Sequence, residues 1–311
     1  MPLEPDKTLR EKPLLRYWLA TRPPFMAASL VPVLLGAAAV AHQGKPVSII
    51  LLLLTLLAII LVHGGVNVLN DYYDELNGTD RQNTQRIFPF TGGSRFIQND
   101  VMTASETFWF GTALIAVAIL LGIALAITSG MGLIWVGIAG LLLGWGYSAP
   151  PLSLNSRGMG EIAVALGFGI VTPLGAWYVQ TSIMDWYPVI ISIPISLLVM
   201  NILVINQFPD LSADKASGKY HWVVRLGTEK GPFIYLAAVA LAALTLLTLI
   251  ASEFLPVWAI LSGLPLLLAA KAGLLLKQHA AKPVLLEPAI KMTIGSTVLH
   301  GIILSLILSL T

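Results

Sequence analysis

The chain has 311 residues, 56% of them hydrophobic and 11% charged, with a formal net charge of +2. An ordinary soluble domain carries roughly 25% charged residues, so this composition excludes a soluble globular protein and points to a bilayer. The absence of cysteine excludes disulfides, thiolate metal sites and a thiol nucleophile. A near-balanced charge with no basic aromatic patch speaks against nucleic acid.

In chain order, residues 1–22 mix Asp, Glu, Lys and Arg and lack a signal-peptide pattern. They read as a cytoplasmic leader ahead of one transmembrane domain, 23–311. A hydrocarbon core about 30 Å thick takes ~20 apolar residues per helix. Nine windows of that kind follow, at 23–44, 46–70, two within 107–156, then 162–184, 186–209, 231–252, 254–270 and 292–311. The double window has a hinge at "TSGMG", 128–132, where two glycines and a serine turn the chain. A β-barrel would instead alternate apolar and polar residues in segments of about ten. The expectation is an all-α, polytopic protein of nine transmembrane helices.

With nine spans, the N-terminus and the loops at 71–106, 148–161, 210–230 and 271–291 share one side. That side carries 17 of the 18 Lys and Arg residues, leaving Lys45 opposite. The positive-inside rule makes it cytoplasmic, in the cell (inner) membrane.

The second window runs into "HGGVNVLNDYYDELNGTD" and the sixth into "NILVINQFPDLSAD". In the first, Asn67 lies four before Asp71, Asp74 lies three after it, and Asn70 and Asp80 flank the set. In the second, Asn206 lies four before Asp210 and Asp214 four after it. Spacings of three and four put each set on one helix face, and an even number of crossings opens both to the same side. Carboxylates brought that close repel unless a cation intervenes. Mg2+, a hard ion that takes oxygen ligands and keeps positions for water and phosphate, is the usual one. Arg95 in "FTGGSR", Arg157 in "LNSRGMGE", and Lys215, Lys219 and Arg225 in "DKASGKYHWVVRLG" lie in the same loops. Together with the metal they would clamp a diphosphate leaving group. Gly92 and Gly93 could offer backbone N–H groups to an anion, although a Gly-Gly pair is more often a turn.

The stretches "NDYYDELNGTD", "DLSADKASGK" and "YSAPPLSLNSRGMGE" resemble the UbiA superfamily of intramembrane prenyltransferases. Within it, "TRPPFMAASLVPVLLG", "NDYYDELNGTD" and "FTGGSR" look most like the menaquinone-pathway branch, the 1,4-dihydroxy-2-naphthoate polyprenyltransferases. The likeness runs from about Thr21 to Gly227. It implies helices around a central cavity open to lipid, with Mg2+ as cofactor and a polyprenyl diphosphate and an aromatic acceptor as substrates. By position, Asn67, Asn70, Asp71, Asp74 and Asp80 match the first motif and Asp210 and Asp214 the second, while Tyr147, Arg157 and Glu161 match the middle signature. Asn67 and the five aspartates are the implied metal ligands, with Asp71, Asp74, Asp210 and Asp214 the catalytic set. Asn67, Asn70, Arg95, Tyr147, Arg157, Lys215, Lys219 and Arg225 are the implied substrate contacts. A hydroxybenzoate enzyme would carry Asp where this chain has Gly78. One departure is that Tyr220, His221 and Trp222 stand where the branch continues with Arg and Thr, which leaves the acceptor open.

Other polar residues within the windows have plain uses. Asn201 reads as interhelical glue and His300 as structural, while His63, four before Asn67, lines the cavity or bonds a neighbouring helix. Trp18, Trp109, Trp186 and Trp258 read as interface anchors. Tyr72, Tyr73, Tyr147 and Phe208 lie near enough in sequence to steady a cation by their ring faces. Two rival readings are the same fold with another acceptor, such as homogentisate, a glyceryl phosphate lipid or a haem, and a membrane cation carrier. The carrier would place acids at mid-bilayer depth, where the windows have none.

Overall fold

The computed structural model describes residues 3–311, so the first two residues of the expected leader lie outside it; among the described residues every regular element is helical. In hydrocarbon a backbone N–H or C=O has no water to bond, and a helix satisfies these groups within itself. A short helix α1 (Pro13–Ala20) leads to α2 (Ala27–His42), α3 (Ile49–Leu76), α4 (Ala104–Ser129) and α5 (Leu133–Ser148). Then come α6 (Gly160–Thr181), α7 (Ile193–Ala216), α8 (Trp222–Ala251), α9 (Leu264–His279) and α10 (Glu287–Leu310). Side chains of Ser48, Thr103 and His221 accept from the first turns of α3, α4 and α8 and so fix where those helices begin.

Eight helices, α2 to α4 and α6 to α10 with the turns that lead into them, are long and apolar enough to cross a membrane. The chain is therefore an integral membrane protein. The sequence count of nine meets a difference at α5. The hinge falls at Gly130, as expected, but α5 ends after 16 residues. Its last residue is followed by Ala149, held extended ahead of Pro150 and Pro151, because a residue before proline is pushed out of the helical region.

The helices α2 and α7 are largely enclosed, whereas α3 and α4 turn most of their surface outward. One core joins α7, α8, α9 and α10 around Leu198, Tyr235, Leu276 and Ile290. A second joins α2, α7 and α10 around Leu35, Ile195 and Leu304, with Trp177 of α6. Polar groups inside the bundle bond neighbouring backbone: Asn201 donates to the Tyr235 carbonyl at 3.0 Å, and His300 bonds the Ser262 carbonyl at 2.8 Å. Trp18, Trp109, Trp186 and Trp258 are all exposed, as interface anchors would be.

Two lengths position the site. With 28 residues, α3 is about 42 Å long at 1.5 Å per residue, so its last turns lie beyond its apolar stretch. The 24-residue α7 ends on the same side, where Thr79 Oγ1, just past α3, donates to Ser217 Oγ, just past α7, at 2.7 Å. Within α6 a turn of π-helix at Gly167–Val171 brings Phe168 and Val171 to the inner wall.

The α3–α4 pair meets at Gly65 and Gly111. A Cβ on Gly65 would lie 2.9 Å from the Ile115 side chain and 3.1 Å from the Gly111 carbonyl, and one on Gly111 2.8 Å from Leu69. Small residues at such a crossing let two membrane helices approach closely. Gly65→Leu is expected to lower the thermal midpoint in detergent, because overpacking costs about 1–3 kcal/mol. Gly295→Leu, where nothing lies within 4 Å of the added carbon, should leave the midpoint unchanged. Equal midpoints for both variants would contradict this packing.

Candidate active site

The helical spacing carries through to three dimensions. The last turns of α3 present Asn67, Asn70, Asp71 and Asp74, and those of α7 present Asn206, Asp210 and Asp214, at one end of the bundle. All but Asp71 of these line one cavity. Pro209 lies inside α7 immediately before Asp210; it has no N–H, so the Ile205 carbonyl loses its partner and the helix is free to bend there.

Asp71 is 4% exposed and accepts from the Ser94 amide at 3.2 Å. Asp74 meets Lys219 Nζ at 2.7 Å and accepts from Asn70 and Asn77, each at 3.3 Å. Asp210 accepts from Asn83 Nδ2 at 2.5 Å and from the Gly92 amide at 3.4 Å. Asp214 lies 3.4 Å from Lys219 Nζ and 3.0 Å from His221 Nε2. Lys219, 6% exposed, is thus the cation shared by the two acidic helices. Burial opposes its charge, but the carboxylates of Asp74 and Asp214 outweigh burial and raise its pKa.

The segment between α3 and α4 folds over these groups. Gly92 and Gly93 both have positive φ, 76° and 73°, the left-handed region that glycine enters without a steric penalty. A Cβ on Gly93 would overlap the Asp80 carboxylate and come within 3.1 Å of Asp71 Oδ1. Of the pair that sequence reasoning expected to offer amides to an anion, Gly92 gives its amide to the protein's own Asp210, while the amide on Asp71 is that of the next residue, Ser94. Asp80 is buried and its Oδ2 has no hydrogen-bond partner. Burial first, and then the charges of Asp74 and Asp71, push its pKa well above the ordinary carboxylate range.

Among the described residues no three acidic or histidine side chains converge as a ready-made metal cluster. The donor set nonetheless fits a hard divalent cation. The groups are oxygens, Asp80 Oδ2 and Asn83 Oδ1 are buried and unpartnered, and the bare Gly93 lets the carboxylates of Asp80 and Asp71 come up against the loop backbone. Oxygen donors with unspent lone pairs suit magnesium better than zinc.

The expected bases divide. Lys219 is in the cavity wall. Arg95 is buried, but it donates to the Asp80 carbonyl at 2.5 Å and so holds the loop. Arg157, Lys215 and Arg225 are exposed and outside the wall. Arg225 is spent on the carbonyls of Tyr220, at 2.6 Å, and Arg157, at 2.8 Å. The base that sequence reasoning missed is Arg22, which lines the cavity, has φ of 58°, bonds the Phe90 carbonyl at 3.2 Å and has an unpartnered buried Nε. Its signal was its place just before the first span, on the same side as the acids.

The Tyr220-His221-Trp222 departure has a structural account. His221 Nδ1 accepts from the Val224 amide at 3.3 Å and caps α8, leaving Nε2–H for Asp214. Trp222 donates its amide to Glu161 Oε1 at 2.8 Å and its indole N–H to the Gly158 carbonyl at 2.9 Å. The fully buried Glu161 also accepts from Gln207 at 3.1 Å. Tyr220 is exposed.

Below the acids lies a cavity of about 630 Å³ walled by apolar residues of α3 to α6, reaching Thr55, Leu125 and Val179. Tyr147, Asn155, Gln207, His63 and Phe168 also line it. His63 also bonds Ser29. Of the four aromatics suggested for cation contact, Tyr147 lines the cavity. Tyr72 packs on Tyr73 and Phe108, and Phe208 is in the core. The arrangement can hold a polyanionic head group at the mouth and a long apolar tail beneath it.

The sequence profile of the UbiA prenyltransferase family matches residues 29–287. The chain is 32% identical over 254 residues to a 1,4-dihydroxy-2-naphthoate octaprenyltransferase of Mycobacterium leprae, covering 80% of this chain and 83% of that one. It is 31% identical over 221 residues to the Bacillus subtilis protein of the same name, covering 71% and 68%. Among solved structures, the apo UbiA homologue from Aeropyrum pernix K1 superposes with a TM-score of 0.66 at 16% identity, covering 92% of this chain and 98% of that one. The UbiA homologue from Archaeoglobus fulgidus bound to GPP and Mg2+ gives 0.58 at 16% identity, with coverage of 92% and 98%. At this identity the two structures speak for the fold.

Lys219→Met would leave Asp74 and Asp214 without their shared cation. Removing one partner of a buried ion pair typically costs about 3–5 kcal/mol, so a lower thermal midpoint is expected. Millimolar Mg2+ should raise that midpoint more in the variant than in the unaltered protein. A variant that melts at the unaltered temperature would refute the role given to this ammonium.

Proposed function

This chain belongs to the UbiA prenyltransferase family, and we propose that it transfers a polyprenyl group from an allylic polyprenyl diphosphate to 1,4-dihydroxy-2-naphthoate in menaquinone biosynthesis. The observation that carries the reading is the pairing of two acidic helix ends, bridged by buried Lys219, with an apolar cavity directly beneath them. The naphthoate as acceptor is supported by the relatives from Mycobacterium leprae and Bacillus subtilis, whose names state that acceptor.

Asn67, Asp71, Asp74, Asp80, Asp210 and Asp214 are the proposed holders of Mg2+. When bound, the ion supplies a hard positive charge that neutralises the diphosphate as it departs. The chain's own cations at the mouth, Lys219 and Arg22, favour the same charge build-up on the leaving oxygen. Arg157, Lys215 and Arg225 are reassigned from substrate contact to the loop surface. The allylic C–O bond breaks, its electron pair leaves with the diphosphate, and the ring carbon that bears the acceptor's carboxylate bonds to the allylic carbon. Loss of the acceptor's carboxylate as carbon dioxide restores the aromatic ring, so no strong protein base is required. The apolar walls of α3 to α6 keep water from the cation, and Tyr147 offers it a ring face at the mouth.

Ile119 and Ile123 of α4 and Ile138 of α5 line the cavity and are still 40–46% exposed, which supports a side opening to lipid for the isoprenoid tail. The charge asymmetry of the loops supports a cytoplasmic mouth in the cell membrane, with residues 1–22 as leader to a single transmembrane domain.

The test is product formation by purified protein in lipid with Mg2+, a labelled polyprenyl diphosphate and the naphthoate, run beside hydroxybenzoate and homogentisate. A prenylated naphthoquinol with release of carbon dioxide is expected, and a chelator should abolish it. Asp71→Ala and Asp210→Ala are each expected to lower turnover by about 10³-fold or more, a loss comparable to removing a key electrostatic group, while the protein stays folded. Alkylation of another acceptor alone would replace the naphthoate in this reading, and full activity in either variant would overturn the site.

A further inference from the structure

The described part of the leader lies across the loop that closes the acidic site. Glu4 Oε1 accepts from Arg86 Nε at 2.7 Å and meets Arg86 Nη2 at the same distance. Glu4 Oε2 accepts from Asn99 Nδ2 at 3.2 Å and lies 4.0 Å from Arg95 Nε. Asn99 also donates to the Pro5 carbonyl at 2.9 Å, and Lys7 pairs with Asp100 at 3.2 Å.

Both arginines continue inward. Arg86 Nη1 donates to the Asn83 carbonyl at 2.7 Å, and the Asn83 side chain in turn donates to Asp210. The aliphatic part of Arg86 fills the space a Cβ on Gly92 would need. Arg95 Nη1 donates to the Asp80 carbonyl. One carboxylate outside the site therefore grips the Arg86 guanidinium and lies within charge-pairing range of that of Arg95, and each of these arginines holds the backbone of an acid-contacting segment. Burial opposes ionisation of Glu4, but hydrogen bonds from Asn99 and Arg86 and the charges of Arg86 and Arg95 outweigh it and hold the carboxyl below its usual range. A lone exposed ion pair contributes little, whereas a shared carboxylate in a connected network gains from each partner.

We propose that Glu4 is a positioning residue: through Arg86 and Arg95 the leader straps the two-glycine loop over the acidic site, so that Asn83 and Asp80 are set in place before substrate arrives. The kinetic part of this inference rests on the prenyl-transfer reading; the ordering of the loop does not.

The experiment uses full-length protein in detergent, comparing the unaltered chain with Glu4→Ala, Glu4→Asp, Arg86→Ala and the Glu4→Ala/Arg86→Ala pair. Size-exclusion profiles check that each variant is folded. Trypsin cleavage at Arg81 and Arg86 reports the loop without any turnover, and Glu4→Ala should be cut about tenfold faster, with Glu4→Asp in between. In kinetics, Glu4→Ala should raise KM for the prenyl diphosphate about five- to tenfold and leave KM for the acceptor within about twofold. The double variant should be no worse than Arg86→Ala alone. Unchanged cleavage in Glu4→Ala overturns the strap. Faster cleavage with equal changes in both KM values, or with additive effects in the double variant, overturns the positioning role. No turnover by the unaltered chain with any acceptor would instead count against the prenyl-transfer reading, and the cleavage arm would still decide the strap.

Discussion

Five carboxylates stand at one water-poor end of a helical bundle, and the ion pairs of Lys219 with Asp74 and Asp214 are what make that arrangement tenable. Each buried charge costs several kcal/mol to desolvate, so an acid from α3 and an acid from α7 cannot approach one another unaided. Lys219, placed just after α7 and reaching back to α3, neutralises one member of each set and fixes the distance between the two helices. Asp71, Asp80 and Asp210 are left to amides, to Asn83 and to one another. That residual negative charge is gathered against the bare backbone of Gly93, so the same charge balance that holds the fold together would favour an added divalent cation there.

The loop from Gly78 to Met102 is the second half of that balance. The amides of Gly92 and Ser94 point to different helices, Gly92 to Asp210 on α7 and Ser94 to Asp71 on α3. Two amides only two residues apart diverge in this way because Gly92 and Gly93 are both left-handed, a geometry in which any Cβ would be strained. The loop is therefore a covalent spacer between the acidic helices as well as a cover. Its outer face carries arginines, and those arginines are where the leader binds.

Much of this was legible in the sequence because it rests on periodicity and length. The paired Asn and Asp spacings read directly as two helix faces, the "TSGMG" hinge as a turn, and the long apolar windows as spans. What was not legible depends on where a side chain turns after the backbone is set. Arg157, Lys215 and Arg225 share the loops of the acids yet face outward, since the carbonyls of Tyr220 and Arg157 capture Arg225. Arg22 was grouped with the leader because it belongs to the charged stretch 1–22, whereas its left-handed backbone turns its guanidinium to the cavity. The short α5 was hidden because Ala149, Pro150 and Pro151 are as apolar as the helix they terminate.

The Tyr220-His221-Trp222 stretch looked in sequence like the place where acceptor choice would be decided, and the structure argues against that. His221 spends both ring nitrogens, one capping α8 and one on Asp214, Trp222 ties the loop to Glu161 and Gly158, and Tyr220 faces away from the cavity. An acceptor ring in the proposed reaction must lie between a head group held at the acids and a tail held by apolar walls. Arg22, Asn155 and Gln207 line the cavity in which that ring would lie. Arg22 Nε and Gln207 Oε1 are buried and have no partner, and an unmet buried donor and acceptor discriminate against a ligand that cannot satisfy them far more strongly than an apolar wall does. The departure at 220–222 is accordingly a different way of capping a helix and holding one aspartate.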